Sequence, residues 1–271
     1  MNQRSLIVQC SNSCPCVCPG CYNFFSSKQV TPVELDNFIA SYVDSFNLAK
    51  VTLSGGDPLL RDDIDVIINN FVRRKILVSI DTVGLALLRN MDNKRIRALN
   101  ATDSLGVPLD GISDQVIQFF RLQLSFQQCM SIIQQAQKLS QTVCVNTVAH
   151  AHNTHELKGI ADILINELNV TKWQIFQYMP IGPGGYANQS LFYLSDEDYR
   201  RSRDEIFNLK LRDSLKTEFK SIQNRKNKYL IIGCDGLVWV PMMNSKRRVL
   251  GSIFNSNILN IIHNIDRYEK I

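Results

Sequence analysis

Six short runs of aliphatic and β-branched residues alternate with longer stretches of helical periodicity, and this alternation limits the possible folds more than any other feature of the chain. The runs are Leu6–Gln9, Lys50–Leu53, Ile76–Ile80, about Ser104–Leu109, Val143–Val148 and Trp173–Tyr178. Strands joined through helices lie parallel, and their crossovers are right-handed. Six such units fall short of a closed eightfold barrel. The predicted fold class is therefore α/β, a partial (βα)6 TIM-like barrel with parallel strands. One helix start is explicit: Thr31-Pro32-Val33-Glu34 places an N-cap before a proline at the first helical position.

After residue 190 the pattern changes. A helix is predicted over Asp196–Leu211. Tyr229–Ile232 and Leu237–Val240 read as a hairpin turning on Asp235-Gly236, and a last helix covers about Ser256–Ile265. Residues 1–190 are expected to form a core domain and residues 191–271 a C-terminal extension (helix, hairpin, helix) covering the substrate side.

In a parallel α/β fold the chemistry collects at the C-terminal ends of the strands. The unusual residues of this chain fall there: a cysteine-rich loop, Gly55-Gly56-Asp57-Pro58, Asp81-Thr82, Asp110-Gly111, a histidine group after the fifth strand, and Gln177-Tyr178. Five of the eight cysteines, Cys10, Cys14, Cys16, Cys18 and Cys21, crowd into the loop. The first residues carry no secretion signal, so the cluster points to metal or redox chemistry rather than disulfides, and to a cytoplasmic protein. Cys129 and Cys144 read as small buried hydrophobes. No apolar run approaches the ~20 residues of a membrane span. The net charge of +5 allows an anionic substrate without arguing for a nucleic-acid polymer as partner.

Cys14, Cys18 and Cys21 have the spacing C-x3-C-x2-C. Three thiolates can hold three irons of a [4Fe-4S] cubane and leave the fourth iron open. The loop taken alone also permits a zinc site of four thiolates, with Cys10 or Cys16 as the fourth, in a non-enzymatic binding module. Gly55-Gly56 after the second strand lets backbone approach a ligand closely, as an ammonium group requires.

With these motifs the chain resembles the radical S-adenosylmethionine (radical SAM) superfamily over about residues 5–180, on the viperin-like and peptide-modifying (MoaA-like) side. The resemblance implies a [4Fe-4S] cluster on Cys14, Cys18 and Cys21 and S-adenosylmethionine (SAM) on its open iron. It also implies reductive cleavage of SAM to a 5′-deoxyadenosyl radical, which takes hydrogen from a substrate: an oxidoreductase or lyase type of enzyme. A flavodoxin- or ferredoxin-like electron donor comes with it. Gly55, Gly56 and Asp57 stand where the family has its GGEP motif for the amino group of SAM, with Asp in place of Glu. The family's hydrophobic residue before the third cysteine is here Gly20, and Tyr22 is the candidate replacement cover. Thr82, Asp110 and Asn146 are candidate SAM or substrate contacts, each also readable as a capping or turn residue, and Gln177 is a further candidate on a sixth strand whose side chains otherwise read as core.

His150, His152 and His155 could bind a second metal or exchange a proton with substrate, or simply lead a polar loop into a helix capped by Asn153 or Thr154. Cys234 is a candidate hydrogen-atom donor or stray ligand, or a residue flanking the hairpin turn. Lys246-Arg247-Arg248 is a possible anion contact or a solvated charge run. Leu105–Gly111 resembles the strand of the peptide-modifying and viperin-like branches, and Trp173–Tyr178 resembles the sixth strand of viperin-like enzymes, of which viperin makes 3′-deoxy-3′,4′-didehydro-CTP. The expected substrate is a peptide or small molecule, with nucleotide dehydration as the alternative. Cys234 alone lies beyond residue 180, so one cluster is expected.

Overall fold

Along the first strand, β1 (Arg4–Ser11), side chains alternate between two environments, as the pleat demands. Leu6, Val8 and Cys10 join the main core with Leu35, Phe38, Ile39 and Tyr42, whereas Ile7 packs in a second cluster on the other face. The chain is described by a computed structural model, apart from residues 1–3, 90, 141, 210, 212–214, 226–228, 243–246 and 270–271.

β1, β2 (Leu48–Gly55), β3 (Leu77–Asp81), β4 (Ser104–Pro108), β5 (Val143–Ala149) and β6 (Lys172–Gln177) pair in chain order, all parallel. The connections carry α1 (Pro32–Ser45), α2 (Ile64–Val72), α3 (Asn93–Asn100), α4 (Asp114–Phe120), α5 (Phe126–Leu139) and α6 (Leu157–Asn166). This is the partial barrel expected from the alternation. α1 begins as its sequence dictates: the Thr31 N–H donates to Glu34 Oε2 (2.9 Å), the Glu34 N–H donates to Thr31 Oγ1 (3.2 Å), and Pro32 opens the helix.

Beyond β6 come α7 (Gly182–Ala187), α8 (Gln189–Phe192), α9 (Asp196–Phe207), β7 (Lys216–Lys220), α10 (Ile222–Arg225), β8 (Leu230–Ile232), β9 (Leu237–Pro241), β10 (Arg247–Ser252) and α11 (Ile258–Glu269). The sheet is wider than the six runs suggested. β7 adds in parallel to β6 and β8 in parallel to β1, while β9 and β10 continue antiparallel, giving the order β10-β9-β8-β1-β2-β3-β4-β5-β6-β7. With β7 and β10 at opposite ends, the sheet stays open. β7 carries no apolar signal because its charges satisfy one another: Glu218 pairs with Lys216 (3.1 Å) and Lys220 (2.7 Å) and accepts from Gln174 Nε2 on β6 (2.9 Å).

The inner face carries Ile7, Ile231 and Trp239 with Met179, Ile181 and Ile222, so β8 and β9 continue this face beyond β1. Among the described residues, no helix is long and apolar enough to cross a membrane.

Candidate functional site

The cysteine loop leaves β1 at Ser11 and is zipped to the end of β2. The Gly56 N–H donates to Ser11 O (2.8 Å) and the Asp57 N–H to Ser13 O (2.6 Å), which extends strand pairing to the residue before Cys14. Only glycine permits this approach. A Cβ on Gly56 would lie 2.1 Å from Ser13 O, and one on Gly55, whose φ is +128°, 2.7 Å from Ser11 O. Two further contacts pin the loop: the Gly185 N–H donates to Cys21 O (3.0 Å) and Val17 N–H to Gln123 Oε1 (2.6 Å). Gly20 has its own cause. A side chain there would run into Phe120, whose Cε2 lies 2.2 Å from the Cβ position, so Phe120 fills the space before the third cysteine.

Cys14, Cys18 and Cys21 are partly exposed, and Cys18 and Cys21 are both close enough to oppose ionisation of Cys14. Burial pushes the Cys14 thiol up to about 11, with Cys18 and Cys21 adding to it. Cys10 and Cys16 are buried, and the Cys10 thiol donates to Ser54 O (3.5 Å). Among the described residues, no three His, Cys, Asp or Glu side chains are grouped so as to hold a metal ion. A cubane asks for a different arrangement, since each thiolate takes its own iron. Beside these thiols, several buried polar atoms at the strand ends lack hydrogen-bond partners: both amide atoms of Gln9 on β1, Asp57 Oδ2 after β2 and His150 Nε2 after β5. Three thiols on one short loop, a glycine cradle and unspent polar groups are the donor set that a cluster with a polar ligand beside it would need.

Asp57 is fully buried, and burial raises its pKa. Its Oδ1 accepts from Thr82 Oγ1 (2.6 Å) and the Leu59 N–H (3.0 Å), so Thr82 orients Asp57 rather than facing the opening. Tyr22 is partly exposed, and its hydroxyl reaches the buried Ser54 Oγ at the end of β2 (3.5 Å). Asn146 faces the barrel interior. Its Nδ2 donates to Asp81 Oδ1 (3.0 Å) across β4, through the gap left by Gly106.

Several residues singled out from the sequence are spent on structure. Asp110 is buried, its Oδ1 accepting from the Val148 N–H (2.7 Å) and its Oδ2 bound by Arg121 Nε, an ion pair that sequence reasoning missed. No motif flags Arg121; only the folded chain brings it to Asp110. Gln177 points away from the interior: its Nε2 donates to Leu194 O (3.1 Å) and Asp196 Oδ1 (2.8 Å), and its Oε1 accepts from the Ile222 N–H (2.9 Å). Gln177→Ala strands the buried Leu194 O and Ile222 N–H, so urea unfolding should show a loss of about 2–3 kcal/mol with iron binding unchanged. The Cys234 thiol donates to Asn12 Oδ1 beside the hairpin turn. Of the basic run, Arg247 lies over the Phe24 ring (4.4 Å), and Lys246 is outside the described residues.

The histidines do not converge as ligands. His150 is fully buried, stacked on Phe120 at 5.1 Å, and its Nδ1 accepts the His152 N–H (3.2 Å), while Asn153 Oδ1 accepts the His150 N–H (2.8 Å) and makes no cap bond to the following turn. His155 lies in the short 3-10 turn before α6. Burial, with His152 and Arg121 nearby, pushes the His150 pKa down to about 3. The folded protein thus refuses a proton that the unfolded chain accepts below about 6.5. Stability is full above that value and declines as pH falls toward 3. Between pH 7 and 5 this one group should remove about 2 kcal/mol, and His150→Phe should flatten the urea-midpoint profile by that amount.

The chain belongs to the Radical SAM superfamily, which residues 8–164 match. Members of this family work with a [4Fe-4S] cluster and S-adenosylmethionine. Among its relatives, the probable GTP 3′,8-cyclase of Methanocaldococcus jannaschii is 26% identical over 252 residues, covering 90% of this chain and 78% of that protein. The GTP 3′,8-cyclase of Aquifex aeolicus is 27% identical over 216 residues, 76% of this chain and 62% of that one. SuiB of Streptococcus suis, solved with S-adenosylmethionine bound, shares the fold with a TM-score of 0.75 at 13% identity, over 96% of this chain and 65% of SuiB. This chain thus spans less than two thirds of SuiB, which has also been solved with its precursor peptide SuiA.

Proposed function

We propose that this chain is a single-cluster radical SAM enzyme that abstracts hydrogen from a peptide or small metabolite. The observation that carries this reading is the zipper of Gly56 and Asp57 onto Ser11 and Ser13, which holds the residue before Cys14, the first cysteine of C-x3-C-x2-C, beside a glycine cradle. In this reading Cys14, Cys18 and Cys21 hold the cluster, and Gly55, Gly56 and Asp57 receive the amino group of SAM. When bound, the reduced cluster supplies the electron that splits the sulfonium of SAM and so yields a 5′-deoxyadenosyl radical.

The remaining work is done by the chain itself. Thr82 and the Leu59 N–H hold Asp57 in one orientation. Tyr22 shields the opening from water, Gln9 and Asn146 offer amide groups to the ligand from the inner face, and residues 191–271 cover the substrate side. A second cluster would need several thiolates in that segment, which has Cys234 alone. A flavodoxin- or ferredoxin-like protein supplies the electron.

A peptide substrate fits the fold shared with SuiB. The relation to GTP 3′,8-cyclases favours a second reading, in which the substrate is a nucleoside triphosphate such as GTP or, as in viperin, CTP. The reduced, reconstituted protein with SAM separates the two. Release of 5′-deoxyadenosine stimulated by GTP or CTP would establish the nucleotide reading. Stimulation by neither, with a changed peptide in host extract found by mass spectrometry, would establish the peptide reading.

A further inference from the structure

Ile7 of β1 lies on the inner face, and the pleat puts Gln9, two residues on, there as well. Gln9 is 1% exposed, and neither its Oε1 nor its Nε2 has a hydrogen-bond partner. Trp239 of β9 repeats the case on the same face: its side chain is 0% exposed and its Nε1 has no partner. Other buried groups of these kinds are used. Trp173 Nε1 donates to Thr147 Oγ1 (2.9 Å), and the Gln177 amide bonds at both ends. A buried polar group left unpaired costs its full desolvation, so a fold that keeps several together calls for an explanation.

Only β8 separates the two side chains. Val8 pairs with Ile232, so Gly233, the next residue, lies beside Gln9, while Ile231 pairs with Trp239. A Cβ on Gly233 would lie 3.6 Å from Trp239 Nε1. Because Gly233 has no side chain, the indole N–H and the Gln9 amide border one place over β8. Phe24, in the segment after Cys21, meets the Trp239 ring edge-on at 5.6 Å and closes the place from the loop side. On the other side Gln9 pairs with Ser54, next to Gly55. The unpaired groups therefore lie between the glycine cradle and the C-terminal strands. The charges that border them oppose one another: Asp235 Oδ1 would lie 2.7 Å from the same Cβ, and Arg247 sits over the Phe24 ring at 4.4 Å.

Resting on the function proposed above, we propose that Gln9 and Trp239 are substrate-specificity residues that bind an uncharged amide group of the substrate. Gln9 Oε1 accepts the N–H of that group, and Gln9 Nε2 and Trp239 Nε1 donate to its carbonyl. Two sources offer this chemistry: the N–H and C=O of a peptide, and the lactam edge of a nucleobase such as guanine. Flanking charges of both signs favour neither an anion nor a cation. A site of this kind rejects an analogue without the amide, because its own buried groups then stay unpaired. Phe24 belongs to a segment without regular secondary structure, and entry proceeds by displacement of its ring.

The test is fluorine nuclear magnetic resonance on the reconstituted protein labelled with 5-fluorotryptophan. The chain has two tryptophans, and Trp239→Phe, which leaves Trp173 alone, assigns both signals. Three probes are titrated: N-acetylalanine methylamide for the peptide, guanosine for the lactam, and inorganic triphosphate as an anion without an amide. The Trp239 signal should move with one of the first two, which names the source, and stay fixed with triphosphate, while the Trp173 signal stays fixed throughout. Gln9→Met, close in shape but without the amide, should raise the fitted Kd by at least about tenfold, or 1.4 kcal/mol. It should also keep or raise the urea midpoint, since it removes an unpaired buried group. A Trp239 signal that no probe moves, or that triphosphate moves as far, overturns the proposal. So does a Gln9→Met protein that binds like the wild type or fails to fold, which would make Gln9 purely structural. A wild type that takes up no cluster would strike the functional reading instead, and the fluorine titration would still report whether this place takes an amide.

Discussion

Replacing Cys14, Cys18 or Cys21 by Ala should abolish the cluster: anaerobically reconstituted variants should hold no acid-labile sulfide and release no 5′-deoxyadenosine above background. Each thiolate takes a separate iron, so loss of one leaves two irons of the cubane without protein ligands instead of one. Cys16→Ala is the informative partner. Cys16 is buried and lies between two of the three proposed ligands in sequence. Its truncation should cost about 1–2 kcal/mol of stability and leave iron, sulfide and SAM cleavage intact. Loss of the cluster in Cys16→Ala would redraw the ligand set.

Gly56→Ala should be nearly as severe, although it touches no cysteine. The new methyl group would lie 2.1 Å from Ser13 O and 2.6 Å from Ser13 C. Those atoms are backbone and cannot swing aside, so the loop must part from β2 and carry Cys14 with it. Overpacking of this kind costs about 1–3 kcal/mol, so the fold should survive with a lowered urea midpoint. The cluster should not: iron content should fall below a tenth of the wild-type value. A Gly56→Ala protein that keeps its iron would show that the zipper does not position Cys14.

The barrel was legible in the sequence because its signals are local. Period-two and period-3.6 patterns follow directly from which face is buried, and Thr31-Pro32-Val33-Glu34 announces α1 by its own capping geometry. β7 was not legible. Lys216, Glu218 and Lys220 carry a strand whose charges pair with one another and, through Glu218, with Lys172 and Gln174 of β6, a neighbour distant in sequence. β10 hides for a related reason, being an edge strand with Arg247 and Arg248 at its start and a register shift between Val249 and Gly251.

The candidate site divides along the same line. Cysteine spacing and the glycine pair are sequence signals because adjacent residues perform the task. The polar residues at strand ends are ambiguous, since any one can face the ligand or brace a neighbour, and direction is settled by packing. Thr82 braces Asp57, Asp110 braces Arg121 and Gln177 ties α9 and α10 to β6, whereas Asn146 does face the interior. Arg121 itself has no sequence signal, because an arginine after a short helix is ordinarily a solvated one.

The most direct measurement is made on protein purified and reconstituted without oxygen, then mixed with dithionite and SAM. The result expected is brown protein with about four irons and four sulfides per chain that splits SAM to 5′-deoxyadenosine. A colourless protein that binds zinc without acid-labile sulfide, or a fully loaded one that leaves SAM whole under strong reductant, would contradict it.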